Sequence, residues 1–337
     1  MPPLPAENAT PAQIALGKKL FFDRRLSFNN TLSCGMCHIE SQAFASTQTA
    51  KAVGFEGQSL RRNAPSLLNV VYQKTLFHDG RESELALQAW LPMLAPDEMA
   101  NPSMGHVLER IRTLPDYDGL FQAAFGSDGP TIQTVGDAIA AYERTLLSGN
   151  SRFDQWYYGG VEEALTDEEK RGFKIFAGKG NCTTCHTVND RFALFTDHQF
   201  HNTGIGYEAT IIEGAESWKV QLAPGVFVDV DAETIRPVSE PFRNDLGRFE
   251  VTLNSDDRWA YKTPSLRDVS ATAPYMHDGS LNTLEAVIEH YDRGGVPHED
   301  LDENIRPLGL TESEKADLIA FLKSLDGAAG AQKTTGY

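Results

Sequence analysis

The sequence predicts a mainly α-helical protein of two domains with long irregular loops. Its 337 residues are enough for two domains, each with its own hydrophobic core. A Cys-x-x-Cys-His motif occurs once in each half, at residues 34–38 and 182–186. We therefore expect an N-terminal domain over residues 1–150, a linker over 151–165 and a C-terminal domain over 166–337.

Two amphipathic helices are predicted ahead of the motifs. Residues 11–22 place apolar side chains at helical spacing before the first motif. Before the second motif, Thr166 and Glu169 have the spacing of a capping box, which opens a helix. Gly178 and Gly180 then end that helix.

Helices are also predicted after the motifs. Residues 132–147 have helical periodicity and would close the first domain. Thr311 and Glu314 form a second capping box, which opens the last helix. Scattered Gly, Pro, Asp and Asn residues over 192–261 predict long loops, with a short hairpin around 226–230.

The four cysteines indicate the cofactor, because all of them lie in the two motifs. Paired cysteines also occur in zinc sites. Here, however, a histidine directly follows the second cysteine of each pair, which is the signature of covalent haem attachment. Two thiols bond the haem edge and the adjacent imidazole binds the iron. The motifs thus predict two covalent c-type haems, attached through Cys34, Cys37, Cys182 and Cys185, with His38 and His186 as iron ligands.

The order of helix, attachment loop and closing helix in each half is the layout of a class I cytochrome c domain. We therefore expect two such domains, each with one haem. The weak similarity of the two surroundings indicates a distant internal duplication.

Charge and hydropathy exclude two classes of partner. The formal net charge of −17 disfavours nucleic acid, whose phosphates would be repelled. No apolar run reaches the length of a membrane span. The first residues lack the pattern of a signal peptide. Because c-type haem is attached outside the cytoplasm, we expect a periplasmic protein whose signal peptide is absent from this sequence.

Several segments besides the motifs are similar to the bacterial dihaem cytochrome c peroxidase family, and in particular to its MauG-like subgroup. The resemblance runs over nearly the whole chain. It implies that the N-terminal haem reacts with peroxide and that the C-terminal haem handles electrons. The segments that carry it are LGKKLFFDRRLS from Leu16, Arg-Asn-Ala-Pro-Ser at 62–66, His-Asp-Gly-Arg at 78–81 and Thr-Ala-Pro-Tyr-Met-His-Asp-Gly at 272–279.

A first departure from the family pattern concerns the N-terminal haem. Typical peroxidases supply a distal histidine from a Val-Gly-His-like segment, and the matching residues here are Val53, Gly54 and Phe55. Phenylalanine cannot bind iron. The resemblance therefore implies that His38 is the only protein ligand and that the opposite face of this haem is open.

A second departure concerns the sixth ligand of the C-terminal haem. Typical peroxidases place a methionine fourteen residues after the histidine that matches His277, and this position is Tyr291. The MauG-like subgroup also has a tyrosine there. Met276 and His290 are the alternative ligands. An anionic phenolate favours oxidised iron, whereas a methionine raises the reduction potential.

The resemblance also implies the catalytic residues of the peroxide pocket. The family's glutamate, glutamine and proline match Glu98, Gln88 and Pro92, with Asp97 as the rival of Glu98. Such a carboxylate would move a proton between the two peroxide oxygens. Gln88 and Pro92 are four residues apart, so we expect the end of one helix to hold both.

His78 occupies the position of a tryptophan that relays electrons between the haems in the resembling enzymes. Imidazole is much harder to oxidise than indole. The relay would then pass through Phe77, Tyr72 or Trp90, or by direct tunnelling. Alternatively, His78 carries protons or is a buried histidine hydrogen-bonded to Asp79.

The family also binds one calcium ion between its domains. The ligands that the resemblance implies are the side-chain oxygen of Asn63 and the backbone carbonyls of Thr272 and Pro274. Oxygen ligands suit this hard cation. An asparagine cap and an ordinary turn are the alternative reading.

The function implied is that of a peroxide-dependent dihaem oxidase. It would act through high-valent (ferryl) haems by long-range electron transfer and oxidise a tryptophan or tyrosine of a partner protein. The alternative is a cytochrome c peroxidase that reduces hydrogen peroxide with electrons from a small cytochrome or cupredoxin. A non-catalytic electron-transfer or sensor cytochrome is disfavoured by the open first haem.

Overall fold

The structure is a computed structural model that describes residues 1–2, 4, 9–126, 129–212, 217–223, 226–235 and 244–327. It is mainly helical, as predicted. None of the described helices is long and apolar enough to cross a membrane.

The N-terminal half contains seven described helices. The first covers the predicted residues 11–22, and the last ends at Glu143, four residues before the predicted end. Gln88 and Pro92 lie on two successive short helices, so the expectation of one helix for both was wrong. The helices are α1 (Pro11–Phe22), α2 (Cys34–Cys37), α3 (Leu85–Gln88), α4 (Trp90–Leu94), α5 (Met104–Arg112), α6 (Leu120–Phe125) and α7 (Ile132–Glu143).

The C-terminal half contains seven further described helices. Both predicted capping boxes are confirmed: Thr166 and Glu169 cap α9, and Thr311 and Glu314 cap α14. The helices are α8 (Arg152–Tyr157), α9 (Asp167–Ala177), α10 (Ile205–Ile212), α11 (Ala232–Ile235), α12 (Phe249–Thr252), α13 (Leu284–Asp292) and α14 (Glu312–Lys323).

Helix α8 lies within the stretch expected to be a linker, and it packs against the C-terminal half. Phe153 is fully buried in the C-terminal hydrophobic core. Asp154 accepts hydrogen bonds from the buried guanidinium of Arg267, at 2.5 Å from Nη1 and 2.6 Å from Nη2. These contacts stabilise residues 152–157 as part of the C-terminal core.

Two small antiparallel sheets complete the described structure. Strand β1 (Phe200–His201) pairs with β4 (Tyr261–Lys262), and β2 (Ser217–Ala223) pairs with β3 (Val226–Asp231). The second pair confirms the predicted hairpin.

Each half contains a helix crossing of the same kind. A Cβ atom added to Gly17 of α1 would lie 1.8 Å from the carbonyl oxygen of Ala138 in α7. A Cβ atom added to Gly172 of α9 would lie 2.0 Å from the carbonyl oxygen of Asp317 in α14. Only glycine permits so close an approach of two helices. The two crossings are therefore equivalent, and each residue of α7 near the crossing has a counterpart in α14.

A second repeated segment follows each attachment motif, at 65–80 and 264–279. Each begins with Pro-Ser-Leu, and a left-handed residue, Asn69 or Asp268, precedes a 3₁₀ turn. Near the end of each segment, His78 and His277 lie beside the β-bridges Leu76–Glu82 and Tyr275–Leu281. This shared conformation supports the internal duplication.

The repeated segments also join the two halves. The backbone N–H of Asn63 donates to the carbonyl oxygen of His277 at 2.7 Å. The backbone N–H of Lys262, which is the equivalent of Asn63 in the repeat, donates to the carbonyl oxygen of His78 at 2.8 Å. This reciprocal exchange places the two histidines at the junction between the halves.

Candidate functional site

The first attachment motif forms helix α2, and its histidine is held by the backbone. The Nδ1–H of His38 donates to the carbonyl oxygens of Phe44 at 3.1 Å and Pro65 at 3.0 Å. This fixes the orientation of the ring and leaves Nε2 as the metal-binding atom. Burial lowers the pKa of His38, so the imidazole is neutral, as an iron ligand must be.

The second motif repeats this arrangement. The Nδ1–H of His186 donates to the carbonyl oxygen of Phe195 at 2.8 Å, and burial lowers the pKa of this imidazole too. The four cysteines are free thiols. Free thiols beside a neutral imidazole with an available Nε2 fit a covalent haem at each motif.

A cavity lies beside the first motif, and several residues singled out from the sequence line it. These are Cys34, Cys37, His38, Gly54, Gln88, Pro92 and Glu98. Burial and the nearby charge of Asp97 raise the pKa of Glu98 to about 7. Asp97 itself is exposed. Of the two rival carboxyl groups, Glu98 is therefore the one that reaches the cavity.

The loop that lacks the family's histidine lies against the same cavity. A Cβ atom on Gly54 would lie 1.8 Å from the carbonyl oxygen of Asp97, so glycine is required there. The N–H of Phe55 donates to that oxygen at 3.0 Å, and its ring contacts Phe28 at 6.1 Å between centroids. Phe55 thus packs beside the cavity without offering a ligand.

Glu143 also lines the cavity, and our reading of the sequence missed it. It is 5% exposed, and burial raises its pKa to about 8. A signal was present in the sequence. Val135, Ile139 and Tyr142 form the apolar stripe of α7, and Glu143 falls on the same face at helical spacing. A charged residue type within such a stripe indicates a special role.

Tyr291 lies on α13, close to the second motif. Burial raises the pKa of its phenol, and the charges of Cys185 and Cys182 raise it further. Such a phenol ionises only beside a compensating cation, which ferric iron would supply. The neighbouring His290 is buried, and its Nε2–H donates to the carbonyl oxygen of Thr203 at 3.1 Å.

His78 is half-buried at the junction between the halves. Its Nε2–H donates to the carbonyl oxygen of Asn63 at 2.9 Å, and burial lowers its pKa to about 3. The expected alternative of a hydrogen bond to Asp79 was wrong, because Asp79 binds Arg62 at 2.6 Å and Arg81 at 2.9 Å. A neutral imidazole at the junction is a poor proton carrier at neutral pH.

The expected calcium ligands lie on both sides of the junction. The side-chain Nδ2–H of Asn63 donates to the carbonyl oxygen of Ala50 at 2.9 Å. This bond uses the amide nitrogen and not Oδ1, the atom expected to bind calcium. Pro274 lines a small surface cavity together with Ser270 and Asn282. The hydroxyl of Thr272 donates to the carbonyl oxygen of Val269 at 3.2 Å.

Known proteins resemble the chain over nearly its full length. A family model described as di-haem cytochrome c peroxidase matches residues 11–162, and one described as RoxA-like, cytochrome c-like matches residues 260–296. The methylamine utilization protein MauG of Methylorubrum extorquens is 40% identical over 95% of this chain and 80% of its own length. Cytochrome c551 peroxidase of Nitrosomonas europaea is 34% identical over 95% of this chain and 81% of its own length.

A crystal structure described as a MauG-like protein associated with microbial copper homeostasis has a similar fold. Its TM-score is 0.78 at 30% identity, covering 99% of this chain and 96% of that one. The fold and the two motifs define an oxidoreductase of the cytochrome c-like, haem-dependent class. The chain belongs to the di-haem cytochrome c peroxidase family, and within it this protein is a MauG-like dihaem peroxidase.

Proposed function

We propose that the chain is a peroxide-dependent dihaem oxidase that removes electrons from a tryptophan or tyrosine of a partner protein. The family supports hydrogen peroxide as the oxidant and two c-type haems as cofactors. The observation that carries the finer proposal is Tyr291, a half-buried phenol close to Cys182 and Cys185.

The haems would be attached at Cys34 and Cys37 and at Cys182 and Cys185, and they supply the redox chemistry when bound. In the N-terminal half, His38 would be the iron ligand, and Phe55, which cannot bind iron, would leave the site accessible to peroxide. Gln88 and Pro92 line the cavity and limit the space for the substrate.

Glu98 is the acid–base group of this cavity. A carboxyl with a pKa of about 7 both accepts and returns a proton near neutral pH. It would take the proton from one peroxide oxygen and deliver it to the other oxygen, which then leaves as water. Burial keeps competing water away from the carboxyl during this transfer.

In the C-terminal half, Tyr291 would bind the second haem iron opposite His186. The hard phenolate oxygen stabilises oxidised iron, so this half is a poor acceptor of electrons from a cytochrome of ordinary potential. It is suited to draw electrons from a donor that is more difficult to oxidise, such as an aromatic side chain.

A chain of aromatic rings leads from the second motif to the protein surface. Phe195, whose carbonyl accepts from His186, has its ring centroid 5.2 Å from that of Phe153. Phe153 in turn stacks on Tyr157 at 5.2 Å. Tyr157 is 43% exposed and lies beside Trp156. Packed rings shorten the gaps across which electrons tunnel, so this surface suits delivery from a partner.

Further roles follow from the family. We propose a calcium ion bound by Asn63, Thr272 and Pro274, which would tie the two halves together through oxygen ligands. We also propose a periplasmic location, because c-type haem is attached outside the cytoplasm. The role of His78 in the path between the haems stays a prediction.

A cytochrome c peroxidase is the second candidate function, favoured by relatives of that name. Its electrons would come from a small cytochrome or cupredoxin. The net charge of −17 would steer a basic donor to the surface.

The two functions are distinguished by supplying peroxide with either a reduced small cytochrome or the periplasmic proteins of the source organism. We expect slow oxidation of the cytochrome and a peroxide-dependent mass change on tryptophan or tyrosine peptides of one periplasmic protein. Tyr157→Leu, which removes the ring, should reduce that change several-fold, whereas Tyr207→Leu should not. Tyr207 also contacts a tryptophan, Trp259 at 5.3 Å, but no ring contact among the described residues connects it to His186. Rapid turnover with the cytochrome and no modified peptide would favour the peroxidase.

A further inference from the structure

Glu143 is a buried carboxyl that lines the N-terminal cavity. It is the last residue of α7 and is 5% exposed. Its Oε2 has no hydrogen-bond partner. The residue lines the same cavity as Cys34, His38 and Glu98. Burying an unpaired carboxyl costs folding free energy, so the scaffold should not place one there without a compensating role.

The C-terminal half shows what the scaffold itself requires at this position. Because the Gly17–Ala138 and Gly172–Asp317 crossings are equivalent, Tyr142 corresponds to Phe321 and Glu143 to Leu322. Leu322 is 7% exposed and belongs to the C-terminal core. The same site in the same helix crossing therefore accepts an apolar side chain. The carboxyl is a property of the N-terminal half and not of the fold.

The surroundings of Glu143 keep it uncharged in the absence of added positive charge. Burial raises its pKa to about 8, and Arg144, the next residue in the chain, only partly opposes this. The other titratable groups around the cavity are Cys34, Cys37, His38 and Glu98. The thiols become uncharged thioethers when haem is attached, His38 is neutral, and Glu98 adds no positive charge. Glu143 and Cys34 line the same cavity, which places the carboxyl close to the haem-attachment edge.

We propose that Glu143 is the proton-holding group of the N-terminal haem site, taking up one proton with each electron that enters the site and releasing it when the electron leaves. Loss of one electron from the bound haem adds one positive charge beside the carboxyl. Glu143 then gives its proton to solvent, and the carboxylate balances the new charge. Return of the electron restores the proton. This inference requires haem at the first motif but does not depend on which donor or partner the protein uses.

Such coupling serves peroxide reduction, which consumes two protons and two electrons per molecule. Glu98 moves a proton between the two oxygens and so supplies none in total. A second carboxyl that is loaded from solvent together with the electron holds one of the missing protons at the cavity, and it releases that proton there when the electron passes to peroxide. Glu143 thus balances the charge of the site without touching the substrate, whereas Glu98 is the group that touches the substrate.

The test is the pH dependence of the reduction potential of the high-spin haem in the holoprotein, measured by spectroelectrochemistry. For the wild type we expect the potential to fall with rising pH by up to about 59 mV per pH unit, the value for one proton per electron. Glu143→Gln and Glu143→Leu should flatten this dependence. Glu40→Gln, which changes an exposed carboxyl of the same half, should retain it.

The same series in a Glu98→Gln background separates the two carboxyl groups. We expect the slope to persist in Glu98→Gln and to be lost in Glu98→Gln/Glu143→Gln. A slope that survives in both Glu143 variants, or that disappears with Glu98→Gln alone, would overturn the proposal, as would a flat wild-type profile. The potential of the low-spin haem in each variant reports whether the fold is intact. A protein that binds both haems but modifies no partner would refute the proposed function and leave this inference unaffected.

Discussion

The two halves of the molecule hold their attachment motifs in the same way but line them differently. In each half a backbone carbonyl of a phenylalanine, Phe44 or Phe195, orients the motif histidine. In each half two helices cross at a glycine. Around this common frame, two carboxyl groups line the N-terminal cavity, whereas a tyrosine lies close to the second motif. We propose that the common frame binds the haem in each half and that these different side chains set its chemistry.

The difference is clearest in two pairs of positions. The N-terminal cavity has Glu98 and Glu143, two carboxyl groups whose pKa burial raises to about 7 and about 8. The C-terminal site has the phenol of Tyr291 and, in place of Glu143, the apolar Leu322. On our proposal, the N-terminal half moves protons and the C-terminal half stabilises oxidised iron.

Removing the acid–base group of the N-terminal half is expected to have the largest effect. Glu98→Gln should retain both haems and slow the reaction with peroxide by ~10²–10⁴-fold, the usual contribution of a general acid–base group. Because the carboxylate is the base, the wild-type rate should fall as the pH drops through about 7, and the variant should show no such transition. Stopped-flow absorption spectra measure both.

Asp97→Asn is the matched control, because Asp97 is the adjacent carboxyl and is exposed. Its rate should stay close to that of the wild type. If Asp97→Asn were slow and Glu98→Gln normal, the two carboxyl groups would have to exchange roles, and the polar lining of the N-terminal half would need another explanation.

A smaller effect is expected from the helix crossings. Gly17→Ala and Gly172→Ala each force a Cβ atom against a backbone oxygen, at 1.8 Å and 2.0 Å. Overpacking of this kind costs about 1–3 kcal/mol of unfolding free energy. Because the crossings are equivalent, the two losses should be similar, as measured by denaturant unfolding of the holoprotein. Gly105→Ala, a helical glycine of α5 where an added Cβ meets no atom closer than 3.7 Å, controls for the glycine's backbone freedom. A large loss in one crossing alone would mean that the halves are not built alike.

Features encoded by short sequence patterns could be predicted. The attachment motifs have fixed spacing, and the capping boxes at Thr166 and Thr311 involve residues three apart. Helix α1 was predicted with its bounds because its apolar stripe is a local pattern. The cavity residues Gln88, Pro92 and Glu98 were identified through the family resemblance and not from the residues alone.

Features that depend on contacts between distant segments could not be predicted. Helix α8 is stabilised by Arg267, more than 100 residues away, so its sequence resembled a linker. His78 finds its partner in Asn63 and not in the adjacent Asp79, because the junction between the halves sets its orientation. Glu143 carried a visible signal, a carboxyl within an apolar stripe, but its significance appears only beside Leu322.

The central claim is that the N-terminal haem is open and the C-terminal haem is closed by Tyr291. Electron paramagnetic resonance of the diferric holoprotein tests it most directly, together with Tyr291→His. The wild type should show one high-spin and one low-spin haem. Phe55 offers the first haem no ligand, whereas Tyr291 would supply the second haem with its sixth ligand. Tyr291→His should remain low-spin, since imidazole also binds iron, but with shifted g-values and loss of partner oxidation. Two low-spin signals in the wild type, or a low-spin signal unchanged by Tyr291→His together with the near-infrared band of methionine-bound iron, would contradict the claim and point to Met276.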